Sequence, residues 1–128
     1  MRLLLDTHIL IWWQQDRLKL RPRVREIIGD RQNQVFVSVA SFWELSIKAR
    51  KGKFRSSAEV WRDAQEEGFA TLGVTAEHLL ALETLPFVSR HNDPFDHLIL
   101  AQAKAERAVV VTGDRKMIEY GVPCIGVR

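Results

Sequence analysis

Three short runs of consecutive apolar residues, Leu3-Leu4-Leu5, Val35-Phe36-Val37 and Val109-Val110-Val111, are each followed directly by a polar or small residue able to cap a helix. An unbroken apolar run of this length reads as a strand buried on both faces, the pattern of a parallel sheet covered by helices. Between the runs the period changes to helical. Asp6, Thr7 or His8 opens a helix through Trp13, and Pro22 stands at the first position of a helix over Arg23 to Asp30 with Arg25 and Glu26 on its wet side. Ser38 caps a helix from Val39 to about Lys51, with Ala40, Trp43, Leu45 and Ile47 on or near its apolar stripe, and Gly52 ends it.

Residues 57–67 are helix-forming types, Gly68 stops them, and a weaker strand spans Ala70 to Val74. Thr75 then caps a helix that runs to Leu85 and is closed by Pro86, with His78 on its surface or rim. Asp93-Pro94 pairs an N-cap with proline at the first helical position, and Phe95, Leu98, Ile99, Ala101, Gln102 and Ala105 continue as a largely buried helix. Cys124 to Val127 is the final strand. Strands alternating with helices through right-handed crossovers give an α/β fold with a parallel sheet covered on both faces. A chain of 128 residues fits one domain, residues 1–128.

Composition narrows the class without naming the chemistry. With 46% hydrophobic and 27% charged residues the chain has the make-up of a soluble globular protein. The apolar start is broken at once by Asp6, the run Ile9 to Trp13 is too short to cross a bilayer, and neither resembles a signal peptide, so the expected location is cytoplasmic, away from membranes. A single cysteine, Cys124, excludes an intramolecular disulfide and a thiolate zinc cluster. The net charge of +3 favours polyanionic partners only modestly. Its distribution is more telling, because Arg17, Lys19, Arg21, Arg23 and Arg25 form one basic cluster and Lys48, Arg50, Lys51, Lys53 and Arg55 another. Either is a solvated helix face or a track for a phosphate backbone.

In open parallel sheets ligands bind beyond the carboxyl ends of the strands. Asp6 follows the first strand directly and Asp114 follows Val109-Val110-Val111 through Thr112 and Gly113, so these two acids share an edge. Glu44 lies in the second turn of the helix leaving Val35-Phe36-Val37, and Asp96 in the first turn of the helix entering Val109. Each has an ordinary explanation: Asp6 and Asp114 as N-caps, Glu44 in a capping box with Ser41, Asp96 at the positive end of its helix. Taken together they converge on one place. Carboxylates about 4 Å apart repel by roughly 4 kcal/mol per pair at an effective dielectric near 20, so the cluster needs protons or a cation. With oxygen ligands alone, and no nitrogen or sulfur set competing for zinc, the cation is Mg²⁺ or Mn²⁺. His8 and His91 lie near the same edge, where they can touch phosphate.

Four segments carry a resemblance. Leu4-Leu5-Asp6-Thr7-His8, Ser38-Val39-Ala40-Ser41-Phe42-Trp43-Glu44, the stretch from His91 through Asp93-Pro94-Phe95-Asp96 to Ala103, and Val111-Thr112-Gly113-Asp114 resemble, in order and spacing, the four successive blocks of VapC-type PIN domains. The resemblance is to the Asp-Pro-Phe-Asp subgroup. It implies a PIN-like sandwich with a central parallel sheet in order 3-2-1-4-5, and it maps the family's catalytic and metal-holding acids onto Asp6, Glu44, Asp96 and Asp114. Thr112 matches the family's small hydroxyl residue near the site, and Asp93 a further acid that here mainly caps its helix. The implied activity is that of a type II toxin: an endoribonuclease that hydrolyses RNA by metal-activated water and leaves a 5′-phosphate and a 3′-hydroxyl. Lys48, Arg50 and Lys51 would guide the RNA backbone.

The same resemblance implies a homodimer and a cognate antitoxin of the VapB or Phd-like kind, laying a helix or extended tail over the site. DNA would be met only indirectly, through the antitoxin. The sequence departs from the family pattern at His97, where the subgroup often has arginine, and at Met117, where many PIN toxins carry another acid. Rival readings are a non-catalytic PIN-like module that binds RNA or protein, a PIN-fold nuclease acting on DNA, and a phosphatase or receiver domain using Asp6. The last lacks the acid two residues on, where this chain has His8.

Overall fold

The computed structural model describes residues 1–127. Its centre is a sheet of five parallel strands, β1 (Arg2–Leu5), β2 (Gln34–Ser38), β3 (Ala70–Leu72), β4 (Val109–Thr112) and β5 (Cys124–Gly126), in the order β3-β2-β1-β4-β5. The strand that begins the chain is therefore the middle of the sheet, with Leu3 in register with Val35 on one side and Val109 on the other. Leu3, Leu4 and Leu5 are all fully buried because both faces of the sheet are covered. Leu3, Leu5, Val35, Val37 and Val111 point into one core and Leu4 and Val110 into the other.

The first core is closed by α1 (Thr7–Gln15), α2 (Pro22–Gly29) and α4 (Ser57–Glu66), through Ile9, Leu10 and Trp13, Val24, Ile27 and Ile28, and Val60 and Ala64. The second is closed by α6 (Pro94–Glu106) and the short α7 (Arg115–Ile118), through Ile99, Leu100, Ala103 and Met117. Helix α3 (Val39–Arg50) connects β2 to α4, and α5 (Ala76–Leu82) packs along α6. The caps stand where expected: Asp6 for α1, Ser38 for α3, Thr75 for α5 and Asp93 for α6 each accept a backbone N–H of the first turn. No helix among the described residues is long and apolar enough to cross a membrane.

Several details differ from the pattern reading. Helix α5 stops at Leu82, not Leu85, because Thr84 Oγ1 takes the Ala81 carbonyl at 2.6 Å and the next two N–H groups make i→i+3 turns. His78, expected on the surface, is fully buried. Its Nδ1 accepts the Thr75 N–H at 3.1 Å, which leaves the proton on Nε2, and Nε2 donates to Glu106 Oε2 at 2.8 Å on α6. The neighbouring Leu79 and Leu80 face outward instead, 50% and 63% exposed.

Trp43 is likewise not in the α3 stripe. The buried side of α3 is taken by Ala40, Ser41 and Leu45, with Ser41 Oγ accepting from Thr7 Oγ1 at 2.8 Å. Two of these three, Ala40 and Ser41, are small residues at the start of α3. Trp43 lies on the outside, edge-on to Phe95 with ring centroids 4.8 Å apart. On α6 the buried set is Ile99 to Ala103, and Ala105 is exposed. Arg25 is partly buried, not wholly on the wet side. Helix α7 and a 3-10 turn at Arg17–Lys19 are too short to leave a periodic trace in the sequence.

Candidate metal centre

All five strands run the same way, so the chain leaves β1, β2 and β4 at one edge, and the helices that follow begin there. Asp6 is the first residue after β1. Its N–H donates to the Val111 carbonyl of β4 at 3.0 Å, which fixes its backbone from the neighbouring strand. The side chain is 1% exposed. Oδ1 accepts the Thr7 N–H at 2.7 Å and Oδ2 accepts from Thr112 Oγ1 at 2.7 Å. Thr112 Oγ1 itself accepts the Asp114 N–H at 3.0 Å, so this one hydroxyl ties Asp6 to the loop that carries Asp114.

Asp114 caps α7, its Oδ1 accepting the Lys116 N–H at 2.9 Å. Asp93 caps α6, its Oδ1 accepting from Phe95 N–H at 2.8 Å and Asp96 N–H at 3.2 Å, and this sets Asp96 in the first turn. Glu44 stands on the second turn of α3 with Oε2 3.1 Å from Lys48 Nζ. The capping reading and the cluster reading thus hold at once for Asp6 and Asp114, whereas Glu44 makes no capping box with Ser41, since Ser38 caps α3 and Glu44 pairs with Lys48. Asp6, Glu44, Asp93, Asp96 and Asp114 line one cleft together with Lys48 and His8. Arg50 and Lys51 stand exposed at the far end of α3 and do not line it.

The electrostatics follow from the crowding. Burial, then the charges of Asp6, Asp93, Glu44 and Asp114, push the Asp96 carboxyl up to about 8. Burial also raises Asp6, against the lowering influence of His8 and of its hydrogen bonds from Thr112 and Thr7. Such a set fits a hard divalent cation, whose charge removes the repulsion that otherwise keeps a proton on Asp96. In the metal-free protein the raised Asp96 works against stability as pH rises. A carboxyl that titrates near 3.8 unfolded and near 8 folded contributes fully below pH 4, and that contribution is lost on passing through pH 8. The midpoint of thermal unfolding in EDTA should therefore fall between pH 4 and 8, and Asp96→Asn should flatten that slope. An identical slope in both proteins would mean that Asp96 ionises freely.

One expectation about the donor set is corrected. The centre is not free of nitrogen: His91 Nε2 lies 3.0 Å from Asp96 Oδ2 and 3.6 Å from Asp114 Oδ2. The donor atoms of these three residues all fall within 4.8 Å of one another. His8 is also close. The Gly113 N–H donates to its Nε2 at 3.2 Å, which leaves the proton on Nδ1, 3.4 Å from Asp6 Oδ2. The approach is close at Gly113, where a Cβ would come 3.1 Å from both His8 Nε2 and Val127 Cγ2 and would press these side chains aside by a few tenths of an ångström.

At the position of the further family acid, Met117 is fully buried in the second core with Sδ 3.3 Å from Thr112 Oγ1. Sequence reasoning also missed Trp12 and Phe54 in the cleft wall. Phe54 follows a helix end and belongs to no periodic stretch that would have marked it.

Over residues 3–123 the sequence matches the PIN domain family. No curated protein matches it. Among solved structures it is similar to VapBC2 from Rickettsia felis bound to a DNA fragment from the promoter, with 16% identity, all of both chains covered and a TM-score of 0.75. It is also similar to VapBC from Salmonella typhimurium bound to DNA, with 16% identity, 100% of this chain and 99% of that one covered and a TM-score of 0.72. For VapBC-1 from nontypeable Haemophilus influenzae the identity is 21%, the coverage 98% of each chain and the TM-score 0.70. At these identities the likeness is one of fold.

Proposed function

Since the chain belongs to the PIN-domain family, we propose that it is a metal-dependent endoribonuclease, the toxin of a type II toxin–antitoxin pair, acting as one PIN domain over residues 1–128. The observation that carries this reading is the convergence of Asp6, Glu44, Asp96 and Asp114, from four separate elements, on one cleft. Binding alone needs no such cluster. These four residues hold Mg²⁺ or Mn²⁺, and the ion when bound supplies a more acidic water and positive charge against the phosphodiester oxygens.

The chain's own part is positional. Thr112 and the Thr7 N–H keep Asp6 in one orientation, Asp93 caps α6 and so places Asp96, and Lys48 on the cleft wall meets a backbone phosphate. RNA is the substrate, and a chain cut here leaves a 5′-phosphate. If the purified protein cuts RNA undiminished after exhaustive EDTA treatment, and added Mg²⁺ or Mn²⁺ changes nothing, the reading is wrong.

Lys48 and Arg50 are the residues through which RNA binding should depend on salt. Each neutralised phosphate releases counterions, so Lys48→Ala and Arg50→Ala should weaken RNA binding. The log–log salt dependence should flatten by about 0.7 to 1 for each phosphate that is no longer neutralised. Lys51 belongs to the same track. Unchanged affinity and slope in both variants would reduce these side chains to a solvated face.

The partners proposed are a second copy of the chain and a small antitoxin of the VapB or Phd-like kind, with DNA met only through the antitoxin. Solved neighbours that are VapBC complexes support the antitoxin. The outward Leu79 and Leu80 of α5, beside a histidine that takes the buried place, support an apolar contact with another subunit.

A further inference from the structure

His91 stands outside the cleft, behind the carboxylates, and is 7% exposed. It borders instead the hollow under the segment that joins α5 to α6. Both of its ring nitrogens are engaged: Nε2 with Asp96 and Asp114 as described, and Nδ1 with Tyr120 Oη at 2.6 Å. Tyr120 Oη is in turn 2.9 Å from His97 Nε2, which is also 3.0 Å from the His91 carbonyl. The three rings pack against one another with centroids 5.2 to 5.6 Å apart.

One placement of protons fits these contacts, with the single His97 Nε2–H shared between Tyr120 Oη and the His91 carbonyl. His97 Nε2–H donates to Tyr120 Oη, Tyr120 Oη–H donates to His91 Nδ1, and His91 Nε2–H is then directed at Asp96 Oδ2 with Asp114 Oδ2 beside it. The other acceptor open to Tyr120, the His91 carbonyl, is farther away at 3.4 Å. We propose that His91 is a positioning residue of the acidic centre, its Nε2–H holding Asp96 Oδ2 from behind, with Asp114 Oδ2 3.6 Å away, while Tyr120 and His97 fix which ring nitrogen carries the proton.

The inference rests on the metal-dependent reading and adds to it a residue that touches neither metal nor RNA. Its physical basis is simple. A donor fixed on Asp96 Oδ2 holds that oxygen in one orientation before a cation arrives, so less reorganisation opposes binding. Removing an outer partner of this kind typically lowers metal affinity by 10- to 100-fold.

The test is Mn²⁺ binding to the full chain by calorimetry, with circular dichroism to verify folding. His91→Ala should bind Mn²⁺ about 10- to 100-fold more weakly than wild type. His91→Gln, which presents an amide N–H close to the position of Nε2, should recover most of the loss, and Tyr120→Phe should fall between. Pulsed electron paramagnetic resonance of the wild-type Mn²⁺ complex should show no directly bound histidine nitrogen. Wild-type affinity in folded His91→Ala, no recovery in folded His91→Gln, or a nitrogen bound directly to Mn²⁺ would each overturn the positioning role while leaving the nuclease reading in place. A wild-type protein that binds no Mn²⁺ would overturn both.

Discussion

Asp96→Asn should fold as the wild type does and yet cut RNA about 10²- to 10³-fold more slowly, the loss expected when one electrostatic stabiliser leaves a reaction centre. Asparagine keeps the size of the side chain and removes its charge. The fold should tolerate the change, because the neutral amide no longer repels Asp6, Asp93, Glu44 and Asp114, the charges that push Asp96 up to about 8. Asp93→Asn, three residues earlier, is the contrasting case. An asparagine at an N-cap accepts the same Phe95 and Asp96 N–H groups, so the cost should stay below about 1 kcal/mol and cleavage should remain substantial. Single-turnover cleavage in Mg²⁺ and thermal melts of the two variants decide the matter. Full activity in Asp96→Asn beside an inactive Asp93→Asn would move the reactive centre to the capping residue.

His78→Ala should lower stability by about 3 kcal/mol, which combines the cavity left by a fully buried ring with the loss of its hydrogen bonds to the Thr75 N–H and to Glu106. For a chain of this length that corresponds to a fall of roughly 10 °C in the unfolding midpoint. Cleavage by the folded protein at low temperature should be unchanged, since His78 serves the α5–α6 packing and lies outside the cleft. A midpoint within 2 °C of wild type (roughly 0.5 kcal/mol) would return His78 to the surface or rim position expected from the sequence.

The contrast between these two residues shows what was legible. Strands β1, β2 and β4 were readable because three apolar residues in a row can be buried only on both faces of a sheet. Their helices were readable from Ser38, Asp93-Pro94 and Gly52. The acids followed from the strand ends, since Asp6 and Asp114 need no tertiary knowledge once the strands are placed. His78 was not legible, because hydrophobicity on α5 points the wrong way: the helix buries a histidine satisfied by Thr75 and Glu106 and exposes two leucines. Trp43 misled for the opposite reason, standing outward because Ala40, Ser41 and Leu45 take the buried side of α3. His91 lies in a loop, where no period exists to orient a side chain, and its contact with Asp96 arises only when α6 and Tyr120 are both in place.

The central position of β1 has a consequence for the order in which the molecule is made. The hydrogen bond from Thr112 Oγ1 to Asp6 Oδ2 spans 106 residues, and at about 5–20 residues per second a ribosome takes roughly 5 to 20 s to supply the second partner after the first. Glu44 emerges early in that interval, Asp96 and His91 late, and Asp114 and Tyr120 after it. Until then β1 lacks its β4 neighbour, and Asp6 lacks the hydroxyl that orients it. The acidic cleft is thus completed late, with only α7 and β5 to follow Asp114, and premature termination before β4 yields a fragment without it.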